Sequence, residues 1–141
     1  MIILAIDYGE RRIGLAISDP LGYIAQPLET LQNTSQKKSI ERISSIVTER
    51  NVVKIIIGNP INMDGTESRL SKEVLIFVEQ LKKRVTVEIE LYDERLTSAQ
   101  AERMLIDEAD VSREKRKQVI DKIAAAITLQ SYLDNRSLKG S

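Results

Sequence analysis

Apolar residues recur along this chain with either the two-residue period of a β-strand or the 3.6-residue period of a helix. The order of these two patterns predicts its secondary structure. Three β-type segments come first: an apolar run that ends on Asp7, a second run that ends before Asp19, and a third that contains Pro27. Because proline donates no backbone hydrogen bond, the third strand is expected at the edge of a sheet. Helical and β-type patterns then alternate. Helices are predicted over about 36–50, 67–83 and 97–109 and after Ser112, and strands over 52–57 and 85–92.

The order of these elements predicts an α/β fold with a mixed sheet. Three consecutive strands without an intervening helix favour an antiparallel meander, and two strands reached through helices favour right-handed parallel crossovers. We therefore expect a five-stranded sheet, flanked by helices, whose first strand is central. Ligands of such sheets gather where the connections diverge, outside the carboxyl ends of the parallel strands. Residues 1–141 are predicted to form a single domain, with a frayed polar tail over about 134–141.

The last helix has an apolar stripe and, beside it, an acidic residue. Asp121 is in helical register with Ala124 and Ala125, whose small side chains would let the helix approach the sheet closely. The stripe next to it is predicted to pack on the core. Its members are Val119, Ile120, Ile123 and Ile127.

Composition excludes several kinds of chemistry. The chain has no cysteine and no histidine, which removes disulfides, thiol nucleophiles, zinc sites of the Cys/His type and imidazole catalysis. An enzyme of this composition would rely on carboxylates, lysines, hydroxyls or a metal held by oxygen. No apolar stretch approaches the roughly 20 residues of a membrane span, and the start lacks the charged region of a signal peptide. We expect a cytoplasmic protein without a membrane partner.

Charge and aromatic content limit how the chain could bind nucleic acid. Its 21 basic and 21 acidic residues cancel, whereas a dedicated nucleic-acid binder is often strongly basic. Basic residues are nevertheless clustered at Arg11–Arg12 and over 113–117. Aromatic residues make up only 4% of the chain, so base-stacking platforms are not expected. Recognition through shape and backbone contacts is favoured.

Acidic residues occur at positions that the predicted fold would bring together. Asp7 ends the first strand, Asp93 and Glu94 end the last strand, and Asp121 lies on the final helix. A buried carboxylate is costly unless it is paired or binds a cation. Oxygen ligands of this kind suit hard divalent cations, and two such ions could cleave a phosphodiester without histidine. Each acid also has a simpler interpretation: a turn cap for Asp7, an ion pair with Arg95 for Asp93, and a surface position for Asp121.

Four segments make a specific resemblance. Residues 7–19, 58–68, 93–98 and 121–133 resemble the signature blocks of the YqgF/RuvX family, in the family's order. Asn59 departs from the pattern, in which a leucine is expected. The resemblance implies an RNase H-like fold related to the RuvC junction resolvases. It also implies one of two activities, Holliday junction resolution or 5′-end maturation of the small-subunit ribosomal RNA precursor.

The resemblance also implies roles for individual residues. Asp7, Glu94 and Asp121 match the family's acidic triad, which would hold Mg²⁺ or Mn²⁺, with two ions expected. Adjacent strand residues face opposite sides of a sheet, so the choice between Asp93 and Glu94 as the ligand stays open. The candidates for substrate binding are two glycines that allow tight turns and close approach of phosphate, and four basic residues that could contact phosphate. They are Gly9, Gly14, Arg12, Arg95, Arg116 and Lys117.

The leading hypothesis is a Mg²⁺- or Mn²⁺-dependent nuclease for structured nucleic acid, acting in ribosome biogenesis. Precursor 16S ribosomal RNA ranks ahead of branched DNA on the resemblance alone. Symmetric cleavage of a DNA junction would favour a homodimer, whereas processing one RNA end is compatible with a monomer. Two alternatives stay open. One is a relative of the actin-like and sugar-kinase ATPases, although these have a second lobe. The other is a non-catalytic module that docks on RNA or a ribosome-assembly partner.

Overall fold

The computed structural model describes residues 1–59, 68–93 and 113–138. The predicted helix over 97–109 and the loop after Asn59 lie outside these ranges. The described part has five strands and three helices. They are β1 (Ile2–Tyr8), β2 (Arg12–Ser18), β3 (Ala25–Gln32), α1 (Gln36–Glu49), β4 (Val52–Asn59), α2 (Arg69–Lys82), β5 (Glu88–Asp93) and α3 (Arg113–Leu138).

The five strands form one mixed sheet in the order β3-β2-β1-β4-β5. β1 is antiparallel to β2, and β2 is antiparallel to β3, as expected for a meander. β4 is parallel to β1, and β5 is parallel to β4. The predicted α/β architecture, with its first strand central and two parallel additions, is confirmed. β1 therefore lies where the meander and the crossovers diverge.

β3 is an edge strand, as Pro27 predicted. Its register with β2 shifts between Leu15, which pairs with Glu29, and Ala16, which pairs with Pro27. Leu28 is the extra residue of this bulge. A bulge and an edge position both reduce the number of ladder hydrogen bonds that a strand must supply. Proline is thus accommodated without loss of the sheet.

α1 and α2 begin with serine caps. The Ser35 side chain accepts a hydrogen bond from the backbone N–H of Lys38, and the Ser68 side chain accepts one from Ser71. Capping satisfies backbone donors that have no partner in the first turn. Both helices cover one face of the sheet over a large apolar cluster. Its fully buried members include Leu4, Ile6, Leu15, Ile43, Ile55, Ile57, Phe77 and Leu81.

α3 covers the opposite face and packs in a different way from the prediction. The predicted stripe of Val119, Ile120, Ile123 and Ile127 is only half-buried. The buried face is the one that carries the small residues and follows Asp121. It comprises Ala124, Ala125, Thr128, Leu129 and Leu133. The correction has a steric reason, because a helix approaches a sheet most closely through its smallest side chains.

α3 also extends beyond the point at which the chain was expected to fray. The helix continues through Asp134 to Leu138. The Gln130 side chain accepts a hydrogen bond from the backbone N–H of Ala25 at 2.9 Å, and its amide donates to the carbonyl of Tyr23. The Asn135 amide donates to the Tyr92 hydroxyl at 2.6 Å. These contacts hold the second half of α3 against both edges of the sheet.

None of the helices in the described ranges has the length and apolarity that crossing a membrane requires.

Candidate active site

Asp7 lies at the carboxyl end of the central strand, on the face covered by α3. Ile3 and Ala5 belong to the cluster under α3, and period-two alternation gives Asp7 the same face. In the antiparallel ladder Asp7 is directly opposite Gly14. Directly opposed residues share a face and lie about 4.5–5.5 Å apart at Cβ. The surroundings of Gly14 therefore define what lies near Asp7.

Gly14 is covered by the backbone of α3. A methyl group built on Gly14 would lie 2.1 Å from the carbonyl oxygen of Asp121, 2.4 Å from its carbonyl carbon and 3.0 Å from the nitrogen of Lys122. No larger residue fits without movement of the helix. This glycine lets α3 rest on β2 at the position opposite Asp7. The backbone of Asp121 is thereby placed against the residue that is directly opposite Asp7 in the ladder.

Asp121 is paired with Arg12. The Arg12 Nε donates to Asp121 Oδ2 at 2.6 Å, and the Asp121 side chain is only 18% exposed. The interpretation of Asp121 as a surface residue is therefore wrong. Arg12 was predicted as a phosphate contact, and its pairing with Asp121 was not foreseen. Arg12 lies on the α3 side of the sheet, because it is two positions from Gly14 on the same strand and so faces the same way. Its partner Asp121 belongs to α3 itself.

The turn that joins β1 to β2 is fixed by close backbone packing. A methyl group on Gly9 would lie 2.6 Å from the carbonyl oxygen of Arg12, so the turn requires glycine there. Asn33 follows β3, and its side-chain amide donates to the Gly9 carbonyl at 3.0 Å while its backbone N–H donates to Arg11. Asn33 therefore braces the turn that precedes Arg12.

The carboxyl end of β5 lies at the same edge of the sheet. Asn59 of β4 is in register with Asp93 of β5, so the end of β5 is two strands away from Asp7. The Tyr92 hydroxyl lies 2.9 Å from Ser131 Oγ on α3. This contact joins the end of β5 to the helix that carries Asp121.

Several predicted site residues are not described at the level of their side chains. The backbone of Asp93 belongs to β5, and those of Arg116 and Lys117 belong to α3. Glu94 and Arg95 lie outside the described residues. The roles given to these five residues stay predictions.

The side chains at this edge fit a divalent cation in their chemistry. Asp7 and Asp121 both supply carboxylate oxygens, the ligands that hard cations such as Mg²⁺ prefer. Within residues 1–59, 68–93 and 113–138, no group of three or more acidic side chains is close enough to hold a metal. A third acidic ligand would have to come from a side chain that is not described, and Asp93 and Glu94 both have such side chains.

Comparison with known proteins supports a nuclease. A family model described as "RuvX: Holliday junction resolvase" matches residues 1–135. A relative from Thermoanaerobacter pseudethanolicus, named "Putative pre-16S rRNA nuclease", is 50% identical over 139 residues, which is 99% of this chain and 100% of that protein. A relative of the same name from Endomicrobium trichonymphae is 50% identical over 135 residues, 96% of each chain.

The fold is similar to that of a junction resolvase. Thermus thermophilus RuvC, solved in complex with a Holliday junction substrate, superposes with a TM-score of 0.61, covering 97% of this chain and 96% of RuvC at 14% sequence identity. At this identity the likeness concerns the fold alone. It confirms the predicted RNase H-like architecture.

Proposed function

Because this chain belongs to the RuvX family, as its motifs predicted, we propose that it matures the 5′ end of precursor 16S ribosomal RNA. Membership makes the chain a nuclease, a hydrolase that acts on nucleic acid, and implies in general terms that it depends on a divalent metal. The names of its relatives support the ribosomal substrate. The proposal places its activity in the cytoplasm, where ribosomes are assembled.

One observation carries the proposed site: Gly14 is directly opposite Asp7 and is covered by the backbone of Asp121, at the end of the sheet where β5 also ends. We assign Asp7, Glu94 and Asp121 as ligands of two Mg²⁺ or Mn²⁺ ions. When bound, such ions supply an activated water and stabilise the leaving oxygen of the phosphodiester. The chain has no histidine, so carboxylates must do this work.

The alternation of β5 favours Glu94 over Asp93 as the third ligand. Tyr92 contacts α3 through its hydroxyl, and Glu90 contacts Lys54 beside the Tyr132 ring of the same helix. Residues of even number along this strand thus share the α3 face with Asp7. Glu94 is the next position of that parity.

Basic residues near the site would position the substrate without reading its sequence. Arg12 lies beside Asp121, and Arg95, Arg116 and Lys117 are assigned the same role on sequence alone. Close packing accounts for glycine at positions 9 and 14, and contact of Gly9 with phosphate is part of the proposal. A single copy of the chain supplies every residue assigned here, so a monomer suffices for cutting one RNA end.

Resolution of Holliday junctions is the second candidate function. The description of the family model and the RuvC fold both favour it. A junction has two-fold symmetry, and paired cuts require paired sites. Junction resolution would therefore need a dimer, whereas maturation of one RNA end would not, and this difference separates the two candidate functions.

The decisive experiment compares the two substrates directly. An end-labelled precursor 16S RNA fragment and a synthetic four-way DNA junction are incubated with Mg²⁺, Mn²⁺ or EDTA. Asp7→Asn and Asp121→Asn test the site. Asp134→Asn is the matched control, since it makes the same change at an exposed position of the same helix. We expect metal-dependent cleavage of the RNA that is lost in the first two variants and retained in the control.

Other results would change the conclusion in defined ways. Symmetric cutting of the junction alone would establish the resolvase. Binding of RNA without any cutting would favour the non-catalytic docking module. Cleavage that survives in Asp7→Asn would show that the proposed site at the carboxyl end of β1 is not the catalytic site.

A further inference from the structure

Arg12, a candidate phosphate contact, and Asp121, a candidate metal ligand, form an ion pair with each other. The Arg12 guanidinium nitrogen lies 2.6 Å from Asp121 Oδ2, slightly closer than the roughly 2.7–2.9 Å usual for hydrogen bonds between a charged nitrogen and a charged oxygen. The two residues are 109 positions apart in sequence. Their side chains are 27% and 18% exposed, so water screens the pair less than it would at the surface.

A cation bound to that carboxylate would meet the guanidinium. A hard divalent ion lies about 2.0–2.6 Å from its oxygen ligands, depending on the ion. An Arg12 nitrogen already lies 2.6 Å from Oδ2. Two positive groups at one carboxylate repel each other, and the guanidinium weakens the attraction of Asp121 for the ion. An ion at Oδ2 would therefore compete with Arg12, and an ion at Oδ1 would bind a carboxylate whose charge Arg12 already partly neutralises.

A guanidinium that leaves Asp121 has another partner available when substrate is present. Arginine binds phosphate through paired hydrogen bonds of the same geometry that it uses for carboxylate. Arg12 is on β2, next to the turn that is braced by Asn33, so its backbone stays in place while its side chain exchanges partners. A backbone phosphate that draws Arg12 away would free Asp121 for the ion.

We propose that Arg12 is a positioning residue that exchanges Asp121 for a substrate phosphate, so that nucleic acid and divalent cation bind cooperatively. The inference rests on the proposed function, in which Asp121 is a ligand. By linkage, the factor by which nucleic acid tightens cation binding equals the factor by which the cation tightens nucleic-acid binding. Typical couplings of this kind range from about 5-fold to 150-fold.

The test measures binding and does not depend on cleavage. Free Mn²⁺ is followed by its electron paramagnetic resonance signal, with and without a short RNA hairpin that a gel shows to stay intact during the titration. Mn²⁺ bound by the hairpin alone is subtracted. We expect Arg12→Gln to bind Mn²⁺ about 5-fold more tightly than wild type without RNA. The hairpin should tighten Mn²⁺ binding in wild type and not in Arg12→Gln.

Two further variants separate local from general effects. Arg42→Gln is the matched control, because Arg42 also donates through Nε to a carboxylate, Glu29, at 3.1 Å, but in α1. It removes the same charge and should leave Mn²⁺ affinity as in wild type. Arg12→Lys keeps the charge without the planar fork, so its Mn²⁺ affinity should lie between those of wild type and Arg12→Gln. Thermal melting of each variant verifies that it is folded.

The outcomes distinguish this inference from the proposed function. Mn²⁺ affinity of Arg12→Gln that is no higher than that of Arg42→Gln overturns the exchange. If Asp121→Asn weakens Mn²⁺ binding in the same experiment, the metal site stands and only the exchange fails. If Asp121→Asn leaves both Mn²⁺ binding and cleavage unchanged, the assigned site and the exchange fail together.

Discussion

The two faces of the sheet are built from side chains of different size. Under α1 and α2 the buried cluster consists of isoleucine, leucine and valine with one phenylalanine. Under α3 the smaller cluster includes Ala5, Ala16 and Ala125, and the backbone of the helix rests on Gly14. The first face removes more apolar area from water and so contributes more to stability. The second brings a helix backbone against the sheet.

This difference separates stability from the positioning of the site. Close approach of α3 is what places Asp121 opposite Asp7, and a bulkier cluster would hold the helix away. The face that contributes less apolar burial is thus the one on which the carboxylate geometry depends. Substitutions on the two faces should therefore have different consequences for stability and for activity.

The largest loss of stability is expected on the α1/α2 face. Ile43 is fully buried there, and Ile43→Ala should reduce the free energy of unfolding by about 2–5 kcal/mol. Urea denaturation measures this loss. Cleavage and Mn²⁺ affinity of the fraction that remains folded should match wild type. Ile43→Val is the graded control, at about 0.5–1.5 kcal/mol. Loss of activity in folded Ile43→Ala would show that the two faces are not separable.

On the α3 face the effect on activity should exceed the effect on stability. Gly14→Ala forces the backbone of Asp121 away from β2, since the added methyl group would lie 2.1 Å from its carbonyl oxygen. Overpacking of this kind costs about 1–3 kcal/mol. A displacement near 1 Å lowers an enzyme's rate roughly 100-fold, which end-labelled cleavage assays would detect.

Ala125→Gly is the control for Gly14→Ala. It destabilises α3 by about 1 kcal/mol through helix propensity but pushes nothing away from the sheet. Its cleavage rate should stay within a few-fold of wild type. An equal loss of activity in both variants would mean that stability of the helix, not its distance from β2, governs the site.

The smallest effect concerns Asp19, which follows β2 at the end of the sheet opposite to Asp7. The backbone N–H groups of Ile24 and Tyr23 donate to Asp19 and hold its pKa below the ordinary value of 3.8. A lowered pKa in the folded state stabilises the protein above the unfolded pKa, and this contribution is lost as pH falls through the folded pKa. Melting curves of wild type and Asp19→Asn should therefore converge below about pH 4. A difference that stays constant down to pH 2 would exclude this ionisation as its source.

Most of the sheet could be predicted from the sequence because its determinants are local. The apolar run that ends on Asp7 and the proline of the edge strand each specify an element directly. The order of strands and helices then leaves few topologies. The family resemblance, which rests on residues at fixed spacings, is confirmed by the comparisons.

Only part of the packing of α3 could be predicted, because it depends on the sheet as much as on the helix. The close approach through Ala124 and Ala125 was expected, but not that these residues form the buried face. The large apolar stripe pointed to Ile120 and Ile123, but contact with a glycine on β2 selects the face of Ala124 and Ala125. The pairing of Arg12 with Asp121 has no local signal for the same reason. The pattern that indicates both the buried face of α3 and the ion pair has two parts. A glycine and an arginine lie two positions apart on β2 and so share a face, and an aspartate lies beside two alanines on a helix.

The close contact at Gly14 also has a consequence for how the protein is made. Asp7 and Arg12 are synthesised early, whereas the helix that carries Asp121 comes more than 100 residues later. A domain generally folds as a unit, and a partly made chain has Asp7 and Arg12 but lacks the helix that packs against their strands. On the proposed function, in which Asp121 is a metal ligand, the site is therefore complete only after α3 has packed on the sheet.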